Sequence, residues 1–273
     1  MQLQLENINV CNARCVFCPY TKMERKHTRM PMDLHRSIVD QAASIPLIDH
    51  ITVTGLGEPL LDPELVEKIA YTRKAVGKNV YLDVYTNGHL LTADLARQLS
   101  KAGLTLLYIS MNAIDPLKRK EIMGLDDYQE VENAIRESIH AVWGQMRISV
   151  KAVVEKDLFE GDEADRFVSH WGGRYQDGGH AFMHLEGNWA GKNYKVRTTQ
   201  KEACSRALTS IMVLSDGRVC LCCQDYEGEV IFGDLNNESL RDIYKSDPYV
   251  AMRMAHSQGR RSELALCKDC TMV

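Results

Sequence analysis

The sequence predicts an α/β protein whose parallel sheet curls into a partial barrel, followed by a small cysteine-bearing appendage. Three observations predict it. Strand-like and helix-like segments alternate through the first 186 residues, the pattern of a parallel sheet with right-handed crossovers. Several strands carry polar residues along one face, whereas parallel strands buried on both sides are apolar on both. From about residue 187 the alternation stops, and loop-like sequence leads to a hairpin and a cysteine-containing tail. The 273 residues, 45% hydrophobic and 26% charged, suffice for one barrel domain with an appendage.

In chain order, residues 3–10 (LQLENINV) read as the first strand and 32–45 (MDLHRSIVDQAASI) as an amphipathic helix. A second strand, 50–55 (HITVTG), precedes a helix over 62–76 with Asp62 as N-cap and Pro63 at its first position. Residues 79–87 (NVYLDVYTN) form the third strand, and 92–103 a helix that Gly103 stops. The fourth strand is 104–112 (LTLLYISMN) and its helix 128–143. The fifth strand is 147–155 (RISVKAVVE), a weaker helix lies near 160–170, and 180–186 (HAFMHLE) is the sixth strand. Beyond it, 186–204 is loop-like, 210–222 (SIMVLSDGRVCLC) is a hairpin about a Ser-Asp-Gly turn, and 238–246 is a short helix. The change in composition sets a domain boundary near residue 190, giving 1–190 and 191–273.

Side-chain alternation separates a barrel from an open, doubly wound sheet. Val80, Leu82 and Val84 share one face of the third strand, and Tyr81, Asp83 and Tyr85 the other. The fourth strand groups Tyr108, Ser110 and Asn112. The fifth sets Arg147, Ser149, Lys151 and Glu155 against Ile148, Val150, Ala152 and Val154, and the sixth pairs His184 with Glu186. Edge strands show such faces too, but four in one chain imply a wet concave side holding a polar ligand.

A net charge of -4 and a pI near 6.1 argue against broad affinity for nucleic acid or a membrane surface. The basic stretches at 22–29 and 192–206 read as solvated loops. No apolar run approaches bilayer length, and the N-terminal MQLQLENINV lacks the basic and long apolar regions of a secretory signal. The nine cysteines therefore read as metal ligands in a reducing cytoplasm, not as a disulfide framework.

Three of them, Cys11, Cys15 and Cys18, crowd into the stretch CNARCVFC. A closed zinc site or a fully ligated iron–sulfur cluster takes four protein ligands. Three on one loop imply a metal centre with an open position. The C-x3-C-x2-C spacing after the first strand, with Phe17 before the last cysteine, resembles the radical S-adenosylmethionine (radical SAM) superfamily. The resemblance implies a [4Fe–4S] cluster on Cys11, Cys15 and Cys18, with S-adenosylmethionine on the remaining iron. It further implies reductive cleavage to a 5'-deoxyadenosyl radical, chemistry that belongs to the cofactor. An external one-electron donor such as flavodoxin or ferredoxin is implied as well.

After the second strand, TGLGEPLLDPE is similar to the Gly-Gly-Glu-Pro stretch with which the family binds the methionine amino group. Gly57, Glu58 and Pro59 fit. Leu56 stands where the first glycine is usual, and Gly55 precedes it. Glycine lets the backbone approach a ligand closely, and Glu58 or backbone carbonyls can accept from an ammonium. YTNG and SMN match segments that contact ribose and carboxylate, which makes Thr86, Asn87, Ser110 and Asn112 candidates. All fall at carboxyl ends of strands, where barrel active sites lie. Asn87-Gly88 reads equally as a turn.

In the tail, Cys204, then Gly217 with Cys222 five residues on, then Cys267-x2-Cys270 resemble the auxiliary-cluster domains of the SPASM and Twitch group. The resemblance implies a second [4Fe–4S] cluster, closed by four cysteines and suited to carrying electrons. Zinc held by four thiolates fits the same residues. On a strand Cys220 and Cys222 share a face and Cys223 points away, so geometry alone does not name the ligand. The family pattern favours Cys222. Cys223 is then a spare thiol beside the cluster, inert if buried or a hydrogen-atom donor. His184 and Glu186, at the mouth of the sixth strand, are candidates to bind substrate or move protons, although a structural histidine is the commoner outcome.

The resemblance thus implies a partial (β/α)6 TIM barrel with a small C-terminal auxiliary-cluster domain, most similar to the aminocyclitol dehydrogenases and epimerases of aminoglycoside pathways. It implies hydrogen abstraction from a small polyhydroxylated or aminosugar-like substrate, with a peptide substrate as the second expectation. An iron–sulfur electron carrier or a zinc-stabilised binding module would not need the turn at Gly55 to Pro59.

Overall fold

Alternate apolar residues drive each strand to bury one side under helices. The computed structural model describes residues 1–154, 162–172, 179–185 and 203–270. Its barrel part runs β1 (Gln2–Leu5), α1 (Met32–Ala43), β2 (His50–Val53), α2 (Leu65–Val76), β3 (Tyr81–Thr86), α3 (Ala93–Lys101), β4 (Leu106–Ser110), α4 (Pro116–Met123), α5 (Tyr128–Ala141), β5 (Arg147–Val154), α6 (Glu163–Gly172) and β6 (Gly179–Leu185). The C-terminal part adds α7 (Ser205–Thr209), β7 (Ser210–Val213), β8 (Arg218–Cys220), β9 (Ile231–Asp234), α8 (Leu240–Lys245) and α9 (Asp247–Ser257).

These strands form one sheet in the order β6-β5-β4-β3-β2-β1-β7-β8-β9. Every pair from β6 to β7 is parallel, and β8 and β9 join antiparallel. Among the described residues β6 and β9 are the two ends of the sheet, so it does not close on itself. The C-terminal hairpin is an extension of the barrel sheet, because β7 lies beside β1 with Leu3 opposite Ile211.

One side of the sheet is apolar. Leu3, Leu5, Ile51, Val53, Leu82, Val84, Ile109, Val150 and Ile211 pack with Ile38 of α1, Ile69 of α2, Leu99 of α3, Ile135 of α5 and Phe167 of α6. Leu240 of α8 and Tyr249 of α9 belong to the same core. The other side is polar, as the alternation predicts. In register there, Gln4 lies beside Thr52, Thr52 beside Asp83, and Tyr85 beside Tyr108, with Ser149 next to Tyr108 and Lys151 next to Ser110. Toward the strands' amino ends this face is stitched by Gln2 Nε2 donating to Thr52 Oγ1 at 2.6 Å and by His50 Nε2 at 2.9 Å from Asp83 Oδ2.

Several boundaries differ from the sequence expectation for identifiable reasons. β1 ends at Leu5, because Asn7 to Val10 leave the sheet toward the cysteine loop and Ile8 bridges Arg29 instead. Asp62 does not cap α2. Its carboxylate takes the Glu64 amide at 3.0 Å but is also engaged by Lys68 Nζ at 2.7 Å and Asn7 Nδ2 at 3.0 Å, and the helix starts at Leu65. The sequence reading also missed α4, although Asp115 caps it through the Lys118 amide and left-handed Gly124 ends it. The 22–29 stretch is not simply a solvated loop, since Arg25 is buried against Glu6. Residues 186–202, on which the proposed boundary near 190 falls, lie outside the described residues. Among the described residues no helix is long and apolar enough to cross a membrane.

Glu6, directly after β1, joins the two parts of the chain. Its carboxylate accepts Arg25 Nη1 at 2.9 Å and Nη2 at 2.8 Å, the Ser215 amide at 3.1 Å and the Ser215 hydroxyl at 3.0 Å. Arg25 Nε continues to the Tyr226 carbonyl at 2.6 Å. Removing one member of such a buried pair strands the other. Arg25→Met is therefore expected to destabilise the chain by about 3–5 kcal/mol in urea unfolding. A Glu6→Gln/Arg25→Met double substitution should recover part of the loss. Equal losses in the single and double variants would show that the uncompensated charge is not the cause.

Candidate active site

Cys11, Cys15 and Cys18 sit on the loop that leaves β1, each partly exposed. The loop docks on the end of α4, where the Arg14 amide donates to the Met123 carbonyl at 2.9 Å and the Val16 amide to the Ile122 carbonyl at 2.8 Å. Phe17 inserts among Ala13, Ile122, Met123 and Leu125, and the three cysteines pack against that small apolar cluster. The Ala13 amide approaches Cys11 Sγ at 3.4 Å. Burial pushes the Cys11 thiol up to about 11. Three thiols on one apolar-backed loop form a soft donor set short of one ligand, which suits a cluster with an open position.

The turn after β2 presses against the chain entering that loop. Gly55 has φ 144°, and a Cβ there would lie 2.6 Å from Glu6 Cγ; one on Gly57 would lie 2.0 Å from the Ile8 carbonyl oxygen. The glycines thus serve approach to the protein's own chain at this turn, before any ligand is considered. The Glu58 amide donates to the Val10 carbonyl at 2.8 Å. Glu58 itself is buried, and its carboxylate accepts the Leu60 amide at 2.9 Å, the Thr86 hydroxyl at 2.6 Å and the Asn87 amide at 2.7 Å. Burial pushes its pKa up, against the pull of these three donors. Pro59, buried, opens the short 3-10 turn that follows.

Both roles read for Asn87 are present. Its Oδ1 takes the His89 amide at 2.9 Å, making the turn at Gly88, while Nδ2 reaches Asn12 Oδ1 at 2.7 Å on the cysteine loop. At the end of β4, Asn112 is buried and adopts φ 58°, the left-handed region that asparagine enters more readily than most residues. The amides of Met111 and Asn112 converge on the Lys151 carbonyl at 3.0 and 3.3 Å. Ser110 stands beside Lys151 in register.

A residue that the sequence reading missed ties these ends together. Arg119, fully buried, donates through Nη2 to the Asn87 carbonyl at 3.1 Å, through Nη1 to the Met111 carbonyl at 3.0 Å and through Nε to Asp127 Oδ1 at 2.7 Å. Although burial pushes Asp127 up, Arg119 and His89 hold its carboxyl below the usual range. One guanidinium therefore fixes the ends of β3 and β4 to the helix that carries the cysteine loop. In sequence it lies within Lys118 to Lys120 and reads as charged surface; the signals that could have exposed it are Asp115-Pro116 and Gly124, which bound α4.

In the C-terminal part, Cys204, Cys222, Cys267 and Cys270 line one cavity together with Arg206, Asp225, His256 and Arg261. Arg261 donates to the Cys267 and Cys270 carbonyls at 3.2 and 2.8 Å, and the Cys204 amide lies 3.3 Å from His256 Nδ1. Burial pushes the Cys267 thiol up to about 12. Four sulfurs from three separate segments fit an iron–sulfur cluster. Among the described residues no three Cys, His, Asp or Glu side chains close around a single ion. Cys220 and Cys222 do not share a face, because β8 ends at Cys220 and the chain turns at Cys222. Cys220 packs with Met212 and Leu214, and Cys223 joins them, its Sγ accepting from Arg206 Nη1 at 2.9 Å.

The concave face above the stitched amino ends presents Tyr85, Tyr108 and Lys151. The two rings stack at 4.4 Å, and Lys151 Nζ lies 3.9 Å from the centre of Tyr85. His184 falls on β6 in backbone register with Val153, and Glu186 lies outside the described residues.

Comparison with known proteins agrees with this layout. Residues 6–146 match the radical SAM superfamily, and residues 204–271 match SPASM, an iron–sulfur cluster-binding domain. The chain is 21% identical over 272 residues to the S-adenosyl-L-methionine-dependent 2-deoxy-scyllo-inosamine dehydrogenase of Niallia circulans, covering 99% of this chain and 92% of that one. It is 33% identical over 166 residues to molybdenum cofactor biosynthesis protein 1 of Bos taurus, across 58% of this chain and only 24% of that protein. Among solved structures, BtrN in complex with AdoMet and 2-DOIA superposes with a TM-score of 0.71 at 18% identity, over 100% of this chain and 93% of that one. anSMEcpe with bound AdoMet and Kp18Cys peptide also gives 0.71 at 16% identity, over 98% and 88%. With more than half of its length matched, the chain belongs to the radical SAM superfamily, and it takes that family's S-adenosylmethionine and [4Fe–4S] cluster together with an auxiliary [4Fe–4S] cluster.

Proposed function

We propose that this enzyme oxidises a carbinol carbon of a small polyhydroxylated or aminosugar-like substrate. The observation that carries the reading is the cavity shared by Cys204, Cys222, Cys267 and Cys270. Four thiols leave the auxiliary cluster no position for substrate, which suits it to accepting an electron. Likeness along nearly the whole chain to an aminocyclitol dehydrogenase supports the same choice. Cys11, Cys15 and Cys18 hold the first cluster in this reading, and residues 1–190 and 191–273 divide the radical-generating and electron-accepting roles.

When bound, the first cluster and S-adenosylmethionine supply a 5'-deoxyadenosyl radical, started by an electron from an external flavodoxin- or ferredoxin-like donor. The chain's own residues hold and orient. Gly55 to Pro59 offer carbonyls, and one free lone-pair direction of Glu58, to the methionine ammonium. Thr86, Asn87, Ser110 and Asn112 line the strand ends for the ribose and carboxylate. Tyr85, Tyr108 and Ser149 give the substrate a polar wall, and His184 and Glu186 are the candidates of the sixth-strand segment for binding substrate or moving a proton.

A second outcome, epimerisation, has its own support. Cys220 and Cys223 pack beside Met212, on the strand face that continues the barrel's polar side, and a thiol there can return a hydrogen atom to a carbon radical. A peptide substrate is the remaining alternative, since solved relatives of this fold include SuiB bound to precursor peptide SuiA at a TM-score of 0.65, over 92% of this chain and 66% of that one.

Anaerobic reconstitution should yield about eight irons per chain, two four-iron clusters, and 5'-deoxyadenosine on adding dithionite and S-adenosylmethionine. Cys11, Cys15 and Cys18 all changed to Ala should leave about four irons and no 5'-deoxyadenosine; retained cleavage would overturn the assignment. With 2-deoxy-scyllo-inosamine as first probe in deuterium oxide, oxidation gives a carbonyl and no solvent deuterium at the reacting carbon. Epimerisation through Cys223 would instead place one deuterium there.

Glu58→Gln keeps the side chain's size but turns an NH2 toward N–H or O–H donors. Urea unfolding should show a loss of about 1–3 kcal/mol, and equilibrium dialysis a roughly ten- to hundredfold weaker S-adenosylmethionine affinity. Unchanged affinity would mean that the ammonium is held without Glu58.

A further inference from the structure

The wall of the barrel contains a buried amine that the binding of cluster and cofactor does not use. Lys151 is 7% exposed. Its Nζ lies 3.9 Å from the ring centre of Tyr85 and 5.7 Å from that of Tyr108. Among the described residues it meets these rings and makes no hydrogen bond or ion pair. A lysine buried without an acceptor forgoes the solvation its charge requires, and a polar ligand in the barrel would restore a partner. Asp83, an acid whose charge bears on Lys151, is held through Oδ2 by His50 at 2.9 Å, while its Oδ1 has no partner among the described residues.

The lysine is also well anchored. Its carbonyl receives the amides of Met111 and Asn112, so its backbone is tied to the strand end proposed above for S-adenosylmethionine. Burial lowers its pKa to about 7, with Asp83 pulling it up and Arg206 pushing it further down. The groups facing it are Asp83 and Tyr85 from β3, Tyr108 from β4 and Arg206 from α7. Arg147 and Ser149 precede it on its own strand, and β6 sets His180, Phe182 and His184 in register with Ser149, Lys151 and Val153. Near neutral pH much of the amine is unprotonated and able to accept a proton.

We infer that Lys151 contacts the substrate and takes the proton from the hydroxyl on the carbon being oxidised. The inference rests on the dehydrogenase reading. The substrate C–H hydrogen leaves as an atom to the deoxyadenosyl radical. The O–H bond breaks with its proton passing to the Lys151 nitrogen, and the last electron passes to an oxidised iron–sulfur acceptor, leaving C=O. Losing the proton makes the carbon radical a far stronger reductant, so the amine sets the direction of electron flow.

The test uses anaerobic holoenzyme with 2-deoxy-scyllo-inosamine. Ketone formation by the wild type should be low below pH 7 and rise through about pH 7 to a plateau, because the unprotonated amine is the active form. Lys151→Arg keeps a cation of very high pKa that cannot accept a proton. Its kcat for ketone should fall about 10²–10⁴-fold, far more than KM or 5'-deoxyadenosine formation changes, and Lys151→Met should lose ketone as well. Independently of turnover, competitive acetic anhydride labelling of the wild-type holoenzyme should show Lys151 titrating near 7 and protected by the probe. Titration near the ordinary lysine value, absence of protection, or wild-type ketone formation by Lys151→Arg would each overturn the inference. A wild type that cleaves S-adenosylmethionine but forms no ketone would sink the dehydrogenase reading and the proton transfer with it. A ketone made equally well by wild type and variants would sink Lys151 alone.

Discussion

A single buried carboxylate sets the spacing on which the rest of the molecule depends. Glu6 binds Arg25 on the return from the cysteine loop, Ser215 at the C-terminal hairpin, and the Leu56 amide in the turn after β2, the last at 3.3 Å. Three loops from distant parts of the sequence meet on two oxygens. The side chain occupies the space a Cβ on Gly55 would need, which is why that turn can lie so close to β1. Arg25 then carries the constraint outward, and Glu227 accepts the backbone amides of Glu24 and Arg25 at 2.9 and 3.2 Å. An ion pair buried this completely adds little net stability over apolar packing. What it adds is register: the separation between the cysteine loop and the second cysteine cavity follows from where Glu6 sits.

The polar face of the sheet is a second constraint, and an expensive one. Burying Gln4, Thr52, Asp83, Ser149 and Lys151 costs free energy wherever hydrogen bonds are incomplete. Toward the amino ends of the strands the cost is largely offset, because Gln2, Gln4, His50, Thr52 and Asp83 bond to one another. Higher up, aromatic rings and a lone amine take over, and the network stays open. A face largely bonded at one end and open at the other is suited to a ligand that brings several hydroxyl or amine groups.

The alternation of strands and helices, the polar side of the barrel and the cysteine spacings were legible because each depends on local period or on residue type. What escaped depends on distance. β7 pairs with β1 across some two hundred residues of chain, and nothing in either segment names the other. Arg119 looked like surface because its neighbours are Lys118 and Lys120, and the helix that carries it into its contacts with Asn87, Met111 and Asp127 is too short and too polar to show a clear apolar stripe. The glycines at 55 and 57 were read as making room for a ligand; each also makes room for Glu6 or Ile8, which only the folded chain reveals. Cys222 and Cys223 could not be told apart by strand parity, because the strand ends before reaching them.

The parallel pairing of β1 with β7 has a consequence for biosynthesis. β1 needs two partners, His50–Val53 on one side and Ser210–Val213 on the other, and the second emerges some two hundred residues after β1. At roughly 5–20 residues per second, translation takes about 10–40 s to span the gap. For that interval the middle of the future sheet has an exposed edge, which in unfinished chains invites pairing with the wrong strand. The charged and polar side chains at Gln2, Gln4 and Glu6 lie along that edge and weaken it as a template for aggregation. The N-terminal cysteine loop is thus made first, but the Ser215 contacts that help fix its surroundings through Glu6 come only near the end of synthesis, so a nascent chain can display the metal-binding motif well before it can hold that motif in its final frame.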